Sequence, residues 1–171
     1  MDISLIALRL AHVVAGAAWV GGAFVMILLV SRTARLRGAD GDVFISTLLT
    51  KGKAARYFEV AAVTTVVAGA LLYWRASGGL QMAWISSPTG VAFTIGATAA
   101  IVSLVWGGLV VGPAGKRAAA IEAEVKAAGG FASATQQAEL AGIKARLNRF
   151  AVADLVLLAT AVVTMATARY L

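Results

Sequence analysis

Residues 10–30 read LAHVVAGAAWVGGAFVMILLV. These 21 residues contain no Asp, Glu, Lys or Arg, and one polar side chain of consequence, His12. As an α-helix rising 1.5 Å per residue the stretch is about 31 Å long, which matches the hydrocarbon thickness of a bilayer. Small residues recur along it, among them Gly16, Gly21 and Gly22. In lipid, where burying apolar surface gives no drive, such residues let two helix backbones approach. The stretch is therefore expected to be a membrane-spanning helix with a close-packed face.

The rest of the chain agrees with that reading. Of 171 residues, 60% are hydrophobic and 13% charged, against about 25% charged in a soluble domain. Three further apolar stretches stand out, at about 57–74, 90–111 and 150–168. The expected fold is all-α: a single transmembrane domain of four helices, arranged as two pseudo-repeated antiparallel hairpins in a four-helix bundle. The first span is too long for the apolar region of a signal peptide and is expected to remain. Cysteine is absent, which excludes disulfides, thiolate metal sites and cysteine nucleophiles.

Charge gives the expected orientation. Segments 31–56 and 114–149 each carry six Lys or Arg, twelve of the fifteen in the chain. The positive-inside rule puts both in the cytoplasm and both termini on the outer, periplasmic side of a bacterial inner membrane. The basic segments are suited to anionic lipid headgroups. They contain no nucleic-acid reading motif, so the net charge of +7 is assigned to topology rather than to nucleic acid. Asp42 is expected to cap a surface helix, VFISTLL, and Gly129 and Gly130 to break the second connector. Ser133 with Gln136 forms a capping box from which a helix runs on into the fourth span. Pro113 is expected to end the apolar stretch of the third, while the third and fourth helices project beyond the membrane and turn at the glycine pair.

WVGGAFV at 19–25 resembles VWGGLVV at 105–111, and RYFEVA at 56–61 resembles RFAVAD at 149–154. Both halves enter from the same side, so they are parallel repeats. Gly107, Gly108 and Gly112 in the third span are expected to form a second packing face. A homodimer, or docking into a larger membrane complex, through these faces is a further expectation.

An ionisable group inside a span is costly, so His12 is a functional candidate. Two roles are open to it. It can bond a hydroxyl such as Thr160 or Thr164 and lock two helices, or it can ligate haem b or copper, with Met165 as a soft partner. Met82 lies in the outer loop. The third-span position matching His12 is near Ala99, so no second histidine completes a pair. Glu59 and Asp154 are expected to pair with Arg56 and Arg149 as interfacial ion pairs, or to admit protons or cations. Trp19 and Trp106 pack in the core or line a flat ligand. No phosphate-binding loop, dinucleotide motif, nucleophile elbow or zinc-protease motif is present, and no catalytic residue is nominated.

The run LRLAHVVAGAAWVGG at 8–22 resembles the first helix of CopD-type (copper resistance D) membrane proteins. With SPTGVAFTIGATAAIVSLVWGGLVVGPAGKR at 87–117 and the ending ATARYL, it resembles small four-helix bacterial integral membrane proteins of unknown function over most of the chain. The CopD likeness implies copper handling at the outer face through His12. A more distant likeness is to HemJ, a four-helix protoporphyrinogen oxidase family, and it implies His12 as a haem ligand in a haem-dependent membrane oxidoreductase. The Leu-Pro-Arg run and third-span lysine of that family have no counterpart here.

Overall fold

The computed structural model describes residues 2–171, the side chains of Ala39 and Thr50 excepted. Helix α1, Ile3–Phe24, starts well before the apolar stretch because the Asp2 carboxylate accepts from the backbone N–H of Ser4 and Leu5. That cap satisfies two of the orphan donors of the first turn. The helix continues through a wider π-helical stretch, Val25–Val30, into α2, Ser31–Leu36, and stops at Gly38 with φ 57°. Then come α3, Ala39–Thr50, and α4, Ala54–Ala76. A short α5, Met82–Ile85, precedes α6, Pro88–Trp106. A second π-helical stretch, Gly107–Val111, leads into α7, Gly112–Ala127, and the chain returns along α8, Ala134–Thr167.

Four helices are long and apolar enough to cross a membrane. They pack as a bundle in which α1 lies along α4 and α6 along α8. The hairpins meet mainly through α4 and α6, whereas α1 and α8 touch sparsely. The shared core consists of Trp19, Ala23, Ala61, Ala62, Ala99, Ala100, Leu158 and Ala161. Five of these eight are alanines drawn from α4, α6 and α8, so the core is set by close backbone approach rather than by bulky side chains.

One expectation about the connectors is corrected. Asp42 caps nothing: α3 begins at Ala39 behind Gly38, and Asp42 pairs with Lys144 of α8 at 2.5 Å. Pro113 closes the apolar stretch as expected, and the helix runs on past it to the turn at Gly129 and Gly130. The proline occupies the first turn of α7, and the preceding π-helical backbone absorbs the missing N–H and the ring clash that would otherwise break an α-helix. The capping box at Ser133 and Gln136 is present, and α8 runs unbroken from it into the fourth span.

Both long connectors lie at one end and touch each other. Arg35 donates to Asn148, Ser46 to Glu122 and Lys144 to Asp42. Arg117 bridges Glu139 and Glu124 across the α7–α8 turn. These contacts are exposed and individually weak. They nonetheless require the two segments to share a side.

At the opposite end Arg75 pairs with Asp2 at 2.7 Å and donates to the Ser4 hydroxyl. The Ser4 hydroxyl donates to the Asp2 carboxylate and, with the Leu5 N–H and the Arg75 charge, holds it below the usual carboxylate range. A carboxylate depressed by folding adds stability above its unfolded pKa of about 4 and loses it as pH falls through the folded value. Asp2→Asn is therefore expected to melt earlier than the parent at pH 6, with the difference closing below about pH 4. Equal melting at both pH values would show that this cluster contributes nothing.

Candidate functional site

His12 is half-buried on the α1 face that meets α4. Its Nδ1 lies 2.8 Å from the backbone carbonyl of Thr65. A carbonyl can only accept, so Nδ1 carries the hydrogen, and the lone pair of the neutral ring is on Nε2. A helical carbonyl has a second lone pair free for such a bond. The Thr65 hydroxyl is turned away, donating to the carbonyl of Ala61 at 2.7 Å. The imidazole thus bonds neither Thr160 nor Thr164, whose hydroxyls donate to backbone carbonyls of their own helix.

The ring fits because of Gly69. A Cβ at that position would stand 2.8 Å from His12 Cε1 and 3.0 Å from Nδ1. Thr65 and Gly69, one turn apart on α4, form a slot with a carbonyl on one wall and no side chain on the other. Neither residue was nominated by the sequence. A glycine inside a second apolar span, opposite the only histidine, was the available signal.

Met165 sits in the other hairpin. Its Cγ lies 2.8 Å from where a Gly96 Cβ would be, with the Thr164 hydroxyl and Ala161 carbonyl beside it. Met165 is therefore packed on α6 while His12 is packed on α4. Met82 is exposed in α5. Among the described residues, no three His, Cys, Asp or Glu side chains gather in a metal-binding group.

The acidic pair also separates. Asp154 accepts a short hydrogen bond from the Ser103 hydroxyl of α6, and Ser103 is buried. Glu59 lies on an exposed face of α4 with Arg56, Val60, Val63 and Thr64. Among the described residues, the ion pairs closed within 4 Å are Arg75–Asp2, Arg117–Glu124, Arg117–Glu139 and Lys144–Asp42. Neither Arg56–Glu59 nor Arg149–Asp154 is among them. The repeat is thus imperfect in its polar positions, since Asp154 faces a serine in the core and Glu59 faces outward. Its tryptophans diverge as well. Trp19 is buried, while Trp106 is 40% exposed and packs on Phe150 with ring centroids 5.0 Å apart.

The glycine faces divide in the same way. Gly16 meets Thr65, and Gly22 meets Phe58 and Tyr57, so both serve the α1–α4 contact. Gly21, Gly107 and Gly108 have no neighbouring atom within 4 Å, and Gly112 approaches only the Gly107 carbonyl. The close approach in the second hairpin is made at Gly96 instead.

Four helices long and apolar enough to cross a membrane, with two basic connectors at one end and both termini at the other, are the candidate spans of a multi-pass membrane protein. Comparison with protein-family models, with curated proteins and with solved structures finds no match.

Proposed function

We propose that this chain is a non-catalytic, multi-pass protein of a bacterial inner membrane, with its basic connectors in the cytoplasm, serving as an accessory subunit or a homo-oligomer. The observation that carries this reading is the His12–Thr65 bond, which commits the one membrane histidine to joining α1 to α4. Interhelical hydrogen bonds in membranes average about 0.6 kcal/mol, enough to fix register without dominating stability.

A second reading has an observation of its own. A carbonyl-anchored Nδ1–H is how ligating histidines are commonly oriented, with Nε2 left as the donor. His12 would hold haem b or copper through Nε2; Met165, the other candidate ligand, is packed against Gly96 in the second hairpin. The likeness of residues 8–22 to CopD-type proteins supports it. Bound haem or copper would supply redox chemistry, for which His12 would hold and orient the group.

Purified full-length protein separates the two. A colourless, copper-free protein whose His12→Ala variant melts a few degrees earlier supports the first reading. A Soret band or stoichiometric copper, lost in His12→Ala, overturns it in favour of the second.

A further inference from the structure

An open depression of about 350 Å³ lies at the connector end of the first hairpin. Its walls are Val25, Met26 and Val30 of the π-helical stretch, Leu48 of α3 and Phe58 of α4, so it is almost wholly apolar. Gly52 lines it from the turn between α3 and α4. The residues flanking Gly52 are Lys51 and Lys53, both exposed and neither in an ion pair with a described residue. A groove for hydrocarbon and two cations therefore adjoin at the level where a span leaves the membrane.

We propose that this groove is a binding site for one anionic phospholipid, an acyl chain lying along Met26, Val30 and Phe58 and the phosphate held by Lys51 and Lys53. Three features favour a lipid over a partner helix. Under the proposed membrane reading, on which this inference rests, acyl chains already surround the groove. Its walls come from elements at the boundary of the apolar span rather than from the bundle's middle. Its rim is cationic without a paired carboxylate, which complements a phosphodiester and not a neutral apolar helix. The backbone supports the same arrangement: Lys53 adopts a left-handed φ of 56° and α4 starts behind it with no side-chain cap, so its first N–H groups add positive potential at the rim.

The test uses full-length protein in nanodiscs containing equal phosphatidylglycerol and phosphatidylcholine. After transfer to detergent, the lipids that stay bound are identified by native mass spectrometry. The parent is expected to retain one phosphatidylglycerol in preference to phosphatidylcholine. K51Q/K53Q is expected to lose that preference, by about fivefold for each lysine removed. Val30→Trp fills the groove while keeping both lysines, and is expected to lose retention of either lipid. Met26→Trp serves the same purpose if Val30→Trp does not fold. Equal retention of the two lipids by the parent overturns the proposal. So does an unchanged preference in K51Q/K53Q, which would move the anionic contact to the second connector. Undiminished retention in a folded groove-filling variant would show that hydrocarbon is held elsewhere.

Discussion

Gly69→Ala is expected to destabilise the protein by about 2–3 kcal/mol, and to reverse sign when His12 is first replaced by alanine. The new methyl carbon would stand 2.8 Å from the imidazole Cε1. Because the ring also holds its 2.8 Å bond to the Thr65 carbonyl, it cannot retreat without giving that bond up. Overpacking of this kind costs about 1–3 kcal/mol, and the lost interhelical bond adds about 0.6 kcal/mol. In the His12→Ala background the slot is vacant. The methyl then fills space, and the helix gains about 1 kcal/mol from alanine over glycine. The double-mutant cycle is expected to give a coupling of about 3 kcal/mol or more, at or above the upper end for touching residues. Additive melting shifts would mean that ring and glycine do not meet.

Gly90→Ala is the other large effect. A Cβ there would stand 2.0 Å from the Trp84 carbonyl oxygen and 2.8 Å from that of Ile85. Both are backbone atoms, so no side chain can swing away, and α5 must lift from α6. Three links fail together. Ser87 loses its position between the Trp84 carbonyl and the Gly90 N–H. Trp84 leaves its stack on Phe93 and its edge contact with Tyr73. The expected loss is about 3 kcal/mol or more, with a clear drop in near-ultraviolet dichroism. Gly21→Ala is the control: nothing lies within 4 Å of its Cβ position, so a neutral or slightly stabilising result is expected. A Gly90→Ala protein as stable as Gly21→Ala would contradict the packing of α5.

These two glycines show where sequence reading stops. The long apolar helices were legible because length and hydropathy are one-dimensional properties. In lipid the backbone can span only as a helix or as a strand of a closed barrel, and runs of about 20 apolar residues are too long for such a strand. The connector break at Gly129 and Gly130 and the cap at Ser133 were legible because turn chemistry is local. The partner of His12 was not. It is a main-chain carbonyl, a group that every residue carries, and its choice depends on the rotation of α4 about its axis. The assignment of packing faces failed for the same reason. Gly21 and Gly22 are neighbours in sequence, yet a step of 100° turns one away and points the other at Phe58. Asp154 was placed in an ion pair because Arg149 is close in sequence. In the bundle α8 presents Asp154 to Ser103, and sequence pattern does not fix which residue of α6 it meets. The π-helical stretches left no signal except, in the third span, the proline that one of them accommodates.

The proposed roles of His12, the lipid groove and the acidic pair all require both connectors to leave the membrane on one side. The chain has no cysteine, so single cysteines can be introduced without removing any native one. Lys51→Cys and Phe131→Cys lie in the two connectors, and Gln81→Cys and Tyr170→Cys at the opposite end, all at exposed positions. With a membrane-impermeant maleimide on intact spheroplasts, Gln81→Cys and Tyr170→Cys are expected to label, and Lys51→Cys and Phe131→Cys only after lysis. Labelling of Lys51→Cys and Phe131→Cys from opposite faces of the membrane would contradict the four-span bundle.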